Sequence, residues 1–165
     1  MRWTLSGLGL ALLISPLAVA TAQSPQVAAV GEALVATIHA QGAQVYECKA
    51  DGLGRLAWQF REPIATLLVD GRTVGRHFAG PSWELVDGSA VTGKVMARAP
   101  GATARDIPHL RLAATSRGET GRLARATTIL RLNTKGGTAE GPCERAGALL
   151  SAPYSADYAF YGRND

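Results

Sequence analysis

The sequence lacks the ready-made catalytic apparatus that most enzymes advertise. Its 165 residues contain only two cysteines and three histidines. The cysteines, Cys48 and Cys143, do not have the close Cys-x-x-Cys spacing that redox or zinc chemistry favours. No GxxxxGK[ST] phosphate loop occurs, and the nearest approach, NTKGG at Asn133 to Gly137, precedes no convincing helix. GxGxxG is absent from any strand-to-helix context, which sets aside nicotinamide-type redox chemistry. HExxH, GxSxG and the EF-hand loop are missing as well. No cofactor and no metal are therefore expected. Without a basic run or a basic-aromatic repeat, nucleic acid is not an expected partner either.

What is present begins with an address. MRWTLSGLGLALLISPLAVATAQS places one arginine before an apolar run from Leu5 to Val19, followed by small-x-small sites at 18–20 and 20–22. This is the pattern of a secretory signal peptide, and the run is too short to span a bilayer. Residues 1–22 are thus expected to be removed, 23–33 to form a flexible leader and 34–165 to fold as one domain, with no transmembrane segment in the mature chain. Loss of Arg2 takes the formal net charge from +4 to +3, a mild pointer to an anionic partner. In a secreted or periplasmic setting the default for two cysteines is a disulfide, Cys48–Cys143. Closing a loop of that length stabilises by roughly 4 to 5 kcal/mol in the chain-entropy model.

From Leu34 onward the chain is written in short runs at period two, broken by turn residues. Leu34–Ala40 and Ala43–Lys49 flank Gln41-Gly42 like a hairpin. Ala57–Glu62 is closed by Pro63, and Ile64–Val69 leads through Asp70-Gly71 to Thr73–Ala79. The Asp-Gly pair suits a type I′ turn. Trp83–Val86 meets a second Asp-Gly pair, and Ser89–Arg98 leaves it with Val91, Val95 and Ala97 facing opposite to Thr92, Lys94, Met96 and Arg98. The segment 99–108 has turn composition and reads as an exposed crossing loop that could carry function. His109–Ser116, Leu123–Leu132, Ala146–Ser151 and Tyr158–Tyr161 complete the strands. Only 99–105 and 145–150 have any claim to be short helices. The fold class is all-β: a single-domain antiparallel β-sandwich, with a small β-barrel as the alternative.

Candidate functional residues cluster around RHFAGPSWE at 76–84. If the strands on either side of Gly80-Pro81 pair, His77 comes close to Trp83 or Glu84, and a carboxylate there would raise the imidazole pKa. The plainer account has His77 packed on Trp83 with Glu84 in solvent. His39 and His109 read as structural. Tyr154, Tyr158 and Tyr161, in PYSADYAFY, either close the core or line a groove for a sugar or small apolar ligand, with Asp157 an ordinary exposed acid. The arginines Arg111, Arg122, Arg125 and Arg131 read as a solvated face, able to meet an acidic envelope polymer.

Six ordered stretches carry a resemblance: GAQVYEC (42–48), WQFREPIATL (58–67), GRHFAGPSW (75–83), DGSAVTGKVMARA (87–99), RLNTKGGTAEGPC (131–143) and PYSADYAFY (153–161). Together they resemble an exported family of domains of unknown function, numbered 3455. The resemblance implies a secreted single domain with no established activity, ligand or catalytic residue. By similarity, Cys48 and Cys143 hold the family's cysteine positions, and His77, Gly80, Pro81 and Trp83 match its G-x-H-x-x-G-P-x-W stretch. His109 stands where an aromatic is expected. The functional expectation is a non-enzymatic binding or structural component of the envelope or extracellular space. Its expected ligand is a small molecule, saccharide or acidic polymer held by His77, Trp83, Glu84, Tyr154, Tyr158 and Tyr161. The alternative is an envelope hydrolase or lyase with His77 and Glu84 as its acid-base pair.

Overall fold

Side chains that alternate between apolar and polar must lie on opposite faces of a strand, and here that alternation runs much further than the turn residues suggest. A computed structural model describes residue 29 and residues 31–163. The expected signal peptide lies outside the described residues, as do 23–28 and 30 of the leader. Eight strands follow: β1 (Glu32–Ala50), β2 (Leu56–Val69), β3 (Arg72–Phe78), β4 (Ser82–Leu85), β5 (Ala90–Ala99), β6 (His109–Ser116), β7 (Ala126–Gly136) and β8 (Leu149–Arg163). Glu32 and Ala33, placed in the leader by their sequence, open β1.

Every strand pairs antiparallel with its neighbours in sequence, and β8 pairs back onto β1 from Glu32↔Arg163 to Glu47↔Leu149. One sheet thus closes on itself as a barrel. The chain is all-β and antiparallel, as its alternation implies, with the expected Cys48–Cys143 bridge, and it takes the barrel given as the alternative to two facing sheets.

Gln41-Gly42 is not a turn. Inward positions run without interruption through Ile38, Ala40, Gln44, Tyr46 and Cys48, so a single strand of 19 residues crosses the site of the expected hairpin. Glycine is required at 42 because a Cβ there would run into the Ile64 carbonyl and Ala65 of β2. Pro63 does not end a strand either, and Pro153 likewise lies inside one. The β2–β3 pairing stops at Ala65↔His77 and the β7–β8 pairing at Gly136↔Tyr154, so each proline sits where its strand has one neighbour and can be tolerated. At Asp70-Gly71 the expected turn is found, with φ of 49° and 73°.

Neither short helix forms. Asp106 instead gathers the 100–108 loop, accepting from the Thr103 backbone N–H at 2.9 Å and from the Gly136 N–H at 2.7 Å. Residues 145–148 make a turn with Gly147 at φ 80°. The interior is filled by Ile38, Leu67, Trp83, Leu112, Ile129 and Phe160, all at most 1 % exposed. Burying each such side chain stabilises by roughly 1.5–3 kcal/mol. Among the described residues no helix is long and apolar enough to cross a membrane.

Candidate functional site

One end of the barrel is bounded by the β3–β4 corner at Gly80-Pro81, the 100–108 loop, and the adjoining ends of β1 and β2. Inside it lies a cavity of about 430 Å³. Strand parity decides which side chains reach it. In β3 and β4, His77 pairs with Trp83 while Arg76 pairs with Glu84. The first pair faces inward and the second outward.

His77 is 3 % exposed and stacks on Trp83, with ring centroids 4.4 Å apart and planes 12° from parallel. Tyr158 leans on the same imidazole at 5.0 Å. The Nδ1 of His77 lies 2.8 Å from the Ser82 carbonyl oxygen. A carbonyl only accepts, so Nδ1 carries the proton and Nε2 is left as an acceptor in the neutral ring. Burial lowers the His77 pKa from 6.5 to about 4; the Ser82 bond opposes the shift and the Arg131 charge adds to it. The raised value expected from a neighbouring carboxylate is not found, because Glu84 is on the far side of the sheet. There its carboxylate accepts from Arg76 at 3.0 Å. The geometry therefore does not assemble a His77–Glu84 acid-base pair.

The tyrosines divide in the same way. Tyr154 and Tyr158 are inward, 4 % and 1 % exposed, and burial pushes both phenols up in pKa. Tyr158 lines the cavity. Tyr161, an odd number of residues away, pairs with Leu34 and Thr128 on the outer face. His109 opens β6 outside the cavity lining. His39 is on the outer surface, its Nδ1 2.8 Å from an oxygen of Asp157, whose other oxygen accepts from the Asn133 amide at 2.8 Å. Asp157 is thus not an ordinary exposed acid but a cross-strand tie between β1, β7 and β8.

Several lining residues escape a reading of local pattern. Two bulges put them there. Between Val45↔Glu62 and Tyr46↔Phe60, β2 carries Arg61 as an extra residue, and β5 carries Met96 between Val95↔Leu112 and Ala97↔Arg111. An inserted residue inverts the alternation beyond it. Arg98, expected to face away from Val95, consequently lines the cavity with it. Arg131 does so too, because it shares an inward face with Ile129 and pairs with Leu110 and Tyr158. The four arginines read as one solvated face are not gathered: Arg111 lies on the opposite face of β6 from Leu110 and Leu112, and Arg122 and Arg125 precede β7. The signal for Arg131 was Ile129 two residues earlier.

Electrostatically the cavity is one-signed. Arg61, Arg98 and Arg131 line it, and among the described residues no aspartate or glutamate does. The Nε of Arg131 donates to the Pro108 carbonyl at 2.9 Å. Its charge is felt by Tyr46, His77, Tyr154 and Tyr158. Gln44, Tyr154, Tyr158 and Arg131 form a buried polar chain on this inner face, with contacts short of good hydrogen-bond geometry, and Trp83 Nε1 has no acceptor within the protein. Among the described residues no cluster of three or more histidine, cysteine or acidic side chains could hold a metal.

Residues 29–72 and 68–162 match the sequence model of the family described as protein of unknown function (DUF3455). The chain belongs to this family. No curated protein and no solved structure matches it. DUF3455 membership names no activity, so the chemistry of the site rests on the residues themselves. In this DUF3455 chain the G-x-H-x-x-G-P-x-W stretch forms a buried imidazole–indole stack at the cavity wall, joined to the corner that bounds it.

Proposed function

We propose that the chain is an exported binding protein of the periplasm or extracellular space, and that it holds a small molecule inside one end of its barrel without chemical turnover. The observation that carries this reading is the cavity of about 430 Å³ bordered by His77, Trp83 and Tyr158, with an apolar wall and the partly buried guanidinium of Arg131 in its lining. A lining of apolar side chains with a few polar groups, and a volume in the range of small-molecule sites, suit a bound ligand. A disulfide of the kind formed in oxidising compartments fits export. The separation of His77 from Glu84 across the sheet gives no support to hydrolysis by that pair.

Val95 lines the cavity and is a partly buried member of the wall, so Val95→Phe would fill space there without removing a polar group. With 1-anilinonaphthalene-8-sulfonate as probe, the wild-type protein should bind and brighten the dye in its native state. Val95→Phe should abolish that signal while keeping the melting temperature within a few degrees. Dye binding that survives this substitution would place the ligand surface elsewhere and overturn the reading.

A further inference from the structure

The lining of the cavity narrows the ligand class. We propose, resting on the binding reading above, that the ligand is a small aromatic carboxylic acid, its anionic head on Arg131 and its flat apolar body between the aromatic walls. Arg131 is partly buried inside the barrel, yet among the described residues none of the ion pairs includes it. A guanidinium has five N–H donors in a planar fork that matches a carboxylate; Pro108 engages Nε and the Tyr158 hydroxyl also approaches the group, which leaves further donors for a ligand. A cation held among buried aromatics without a counter-charge is costly, and that cost is relieved when an anion arrives.

Neighbouring groups suit the same head. Gln44 and Tyr158 are polar residues of the cavity lining, on the inner face that Arg131 shares. Neutral tyrosine and glutamine donors stabilise an acceptor-only carboxylate. A cationic head would meet three arginines and no acid along the lining. Glu140, whose charge reaches Tyr46, is not part of that lining. Arg61 is offset by Glu62 at 3.1 Å and Arg98 is exposed to solvent, so the partly buried charge in the lining is that of Arg131, which favours a single negative charge. The body is set by Tyr46, Phe60, Trp83, Ile107, Leu110 and Leu112, an apolar and largely aromatic wall. Flat rings pack well on such walls.

Three probes of one shape separate the claims: trans-cinnamate, cinnamamide and cinnamylamine, titrated calorimetrically into the disulfide-intact protein. Cinnamate should bind at least tenfold tighter than the amide, and the amine should bind weakest. Arg131→Gln should cut cinnamate affinity tenfold or more with little effect on the amide, and Arg131→Lys should recover part of the loss. Should Arg131→Gln fail to fold, the ranking of the three probes on the wild-type protein decides alone. If acid and amide bind equally, and Val95→Phe blocks both, the cavity binds ligands but the anion assignment is wrong. If none of the three binds, or Val95→Phe blocks none of them, both the ligand class and the cavity reading fall.

Discussion

His77 shows how one side chain's burial sets its chemistry. It is neutral in the folded protein down to about pH 4, whereas in the unfolded chain it protonates below its ordinary 6.5. Between those values the unfolded state takes up the proton first, so stability falls as the pH drops from about 6.5 to about 4 and does not fall further on this account. The shift corresponds to about 3 kcal/mol for a group this buried. His77→Phe should keep a ring against Trp83, lose roughly 1 kcal/mol at pH 7 with the bond to Ser82, and flatten this part of the curve. Chemical denaturation from pH 7 to pH 4 checks it, and a variant retaining the wild-type slope would assign the slope to other groups. The aspartates act lower. Asp51, held by the Arg55 backbone N–H, Asp87 by the Ser89 hydroxyl and Asp106 by the Thr103 hydroxyl all have lowered pKa values, so what they contribute is lost below about pH 3.8. At this scale the sequence revealed the company of His77 and Trp83 but not their depth. Nine apparently local residues place the two rings together, while the low pKa comes from strands far away in the chain. Trp83 is 1 % exposed, and truncating such a residue costs about 3–5 kcal/mol.

Among the elements, what was legible depended on whether the signal was local. The Asp70-Gly71 turn and the span of β6 could be read directly, since each is decided by neighbours in sequence. Gln41-Gly42 misled because glycine there serves a close approach of β1 to β2, which involves residues more than twenty positions away. The bulges at Arg61 and Met96 left no compositional mark, and for that reason Arg98 was assigned to the wrong face. The bridge between Cys48 and Cys143, with Cα atoms 5.9 Å apart, links the end of β1 to the segment leading into β8. That segment is otherwise tied by a few backbone bonds, including Cys143 N–H to the Leu56 carbonyl and Gly147 N–H to the Cys48 carbonyl. Removing the bridge by Cys48→Ala with Cys143→Ala should lower unfolding free energy by up to about 5 kcal/mol, since the closed loop is long. The double variant should still show the strand circular dichroism of the wild type. Reductant should destabilise the wild-type protein by a similar amount and leave the double variant unchanged. An equal response of both proteins to reductant would deny the bridge a stabilising role.

For the whole molecule, the decisive contact is the one least visible in sequence, the pairing of the first strand with the last. Alternation announces strands without saying whether they make two layers or one ring, because inward faces look alike in both. Closure follows from register: Glu32 lies opposite Arg163, so the ends of the described fold are adjacent. A cross-strand pair is separated by about 5 Å, which a linker of a few residues can span. Joining residue 163 to residue 31 by a short glycine-serine linker and opening the chain between Glu119 and Thr120, both exposed in the β6–β7 connection, should therefore give a folded circular permutant. The β1–β8 pairing becomes a local hairpin in that molecule, while β6–β7 becomes the closure that must form across the whole chain. Long-range pairing slows folding because loop entropy is lost before contacts reward it, so total stability should change by less than the folding rate does. The permutant should keep the wild-type circular dichroism, the Cys48–Cys143 bridge and dye binding at the cavity, none of which depends on the old termini. An unfolded permutant would mean that the ring needs β1 and β8 to meet last, and that adjacency of the ends is insufficient to define the barrel.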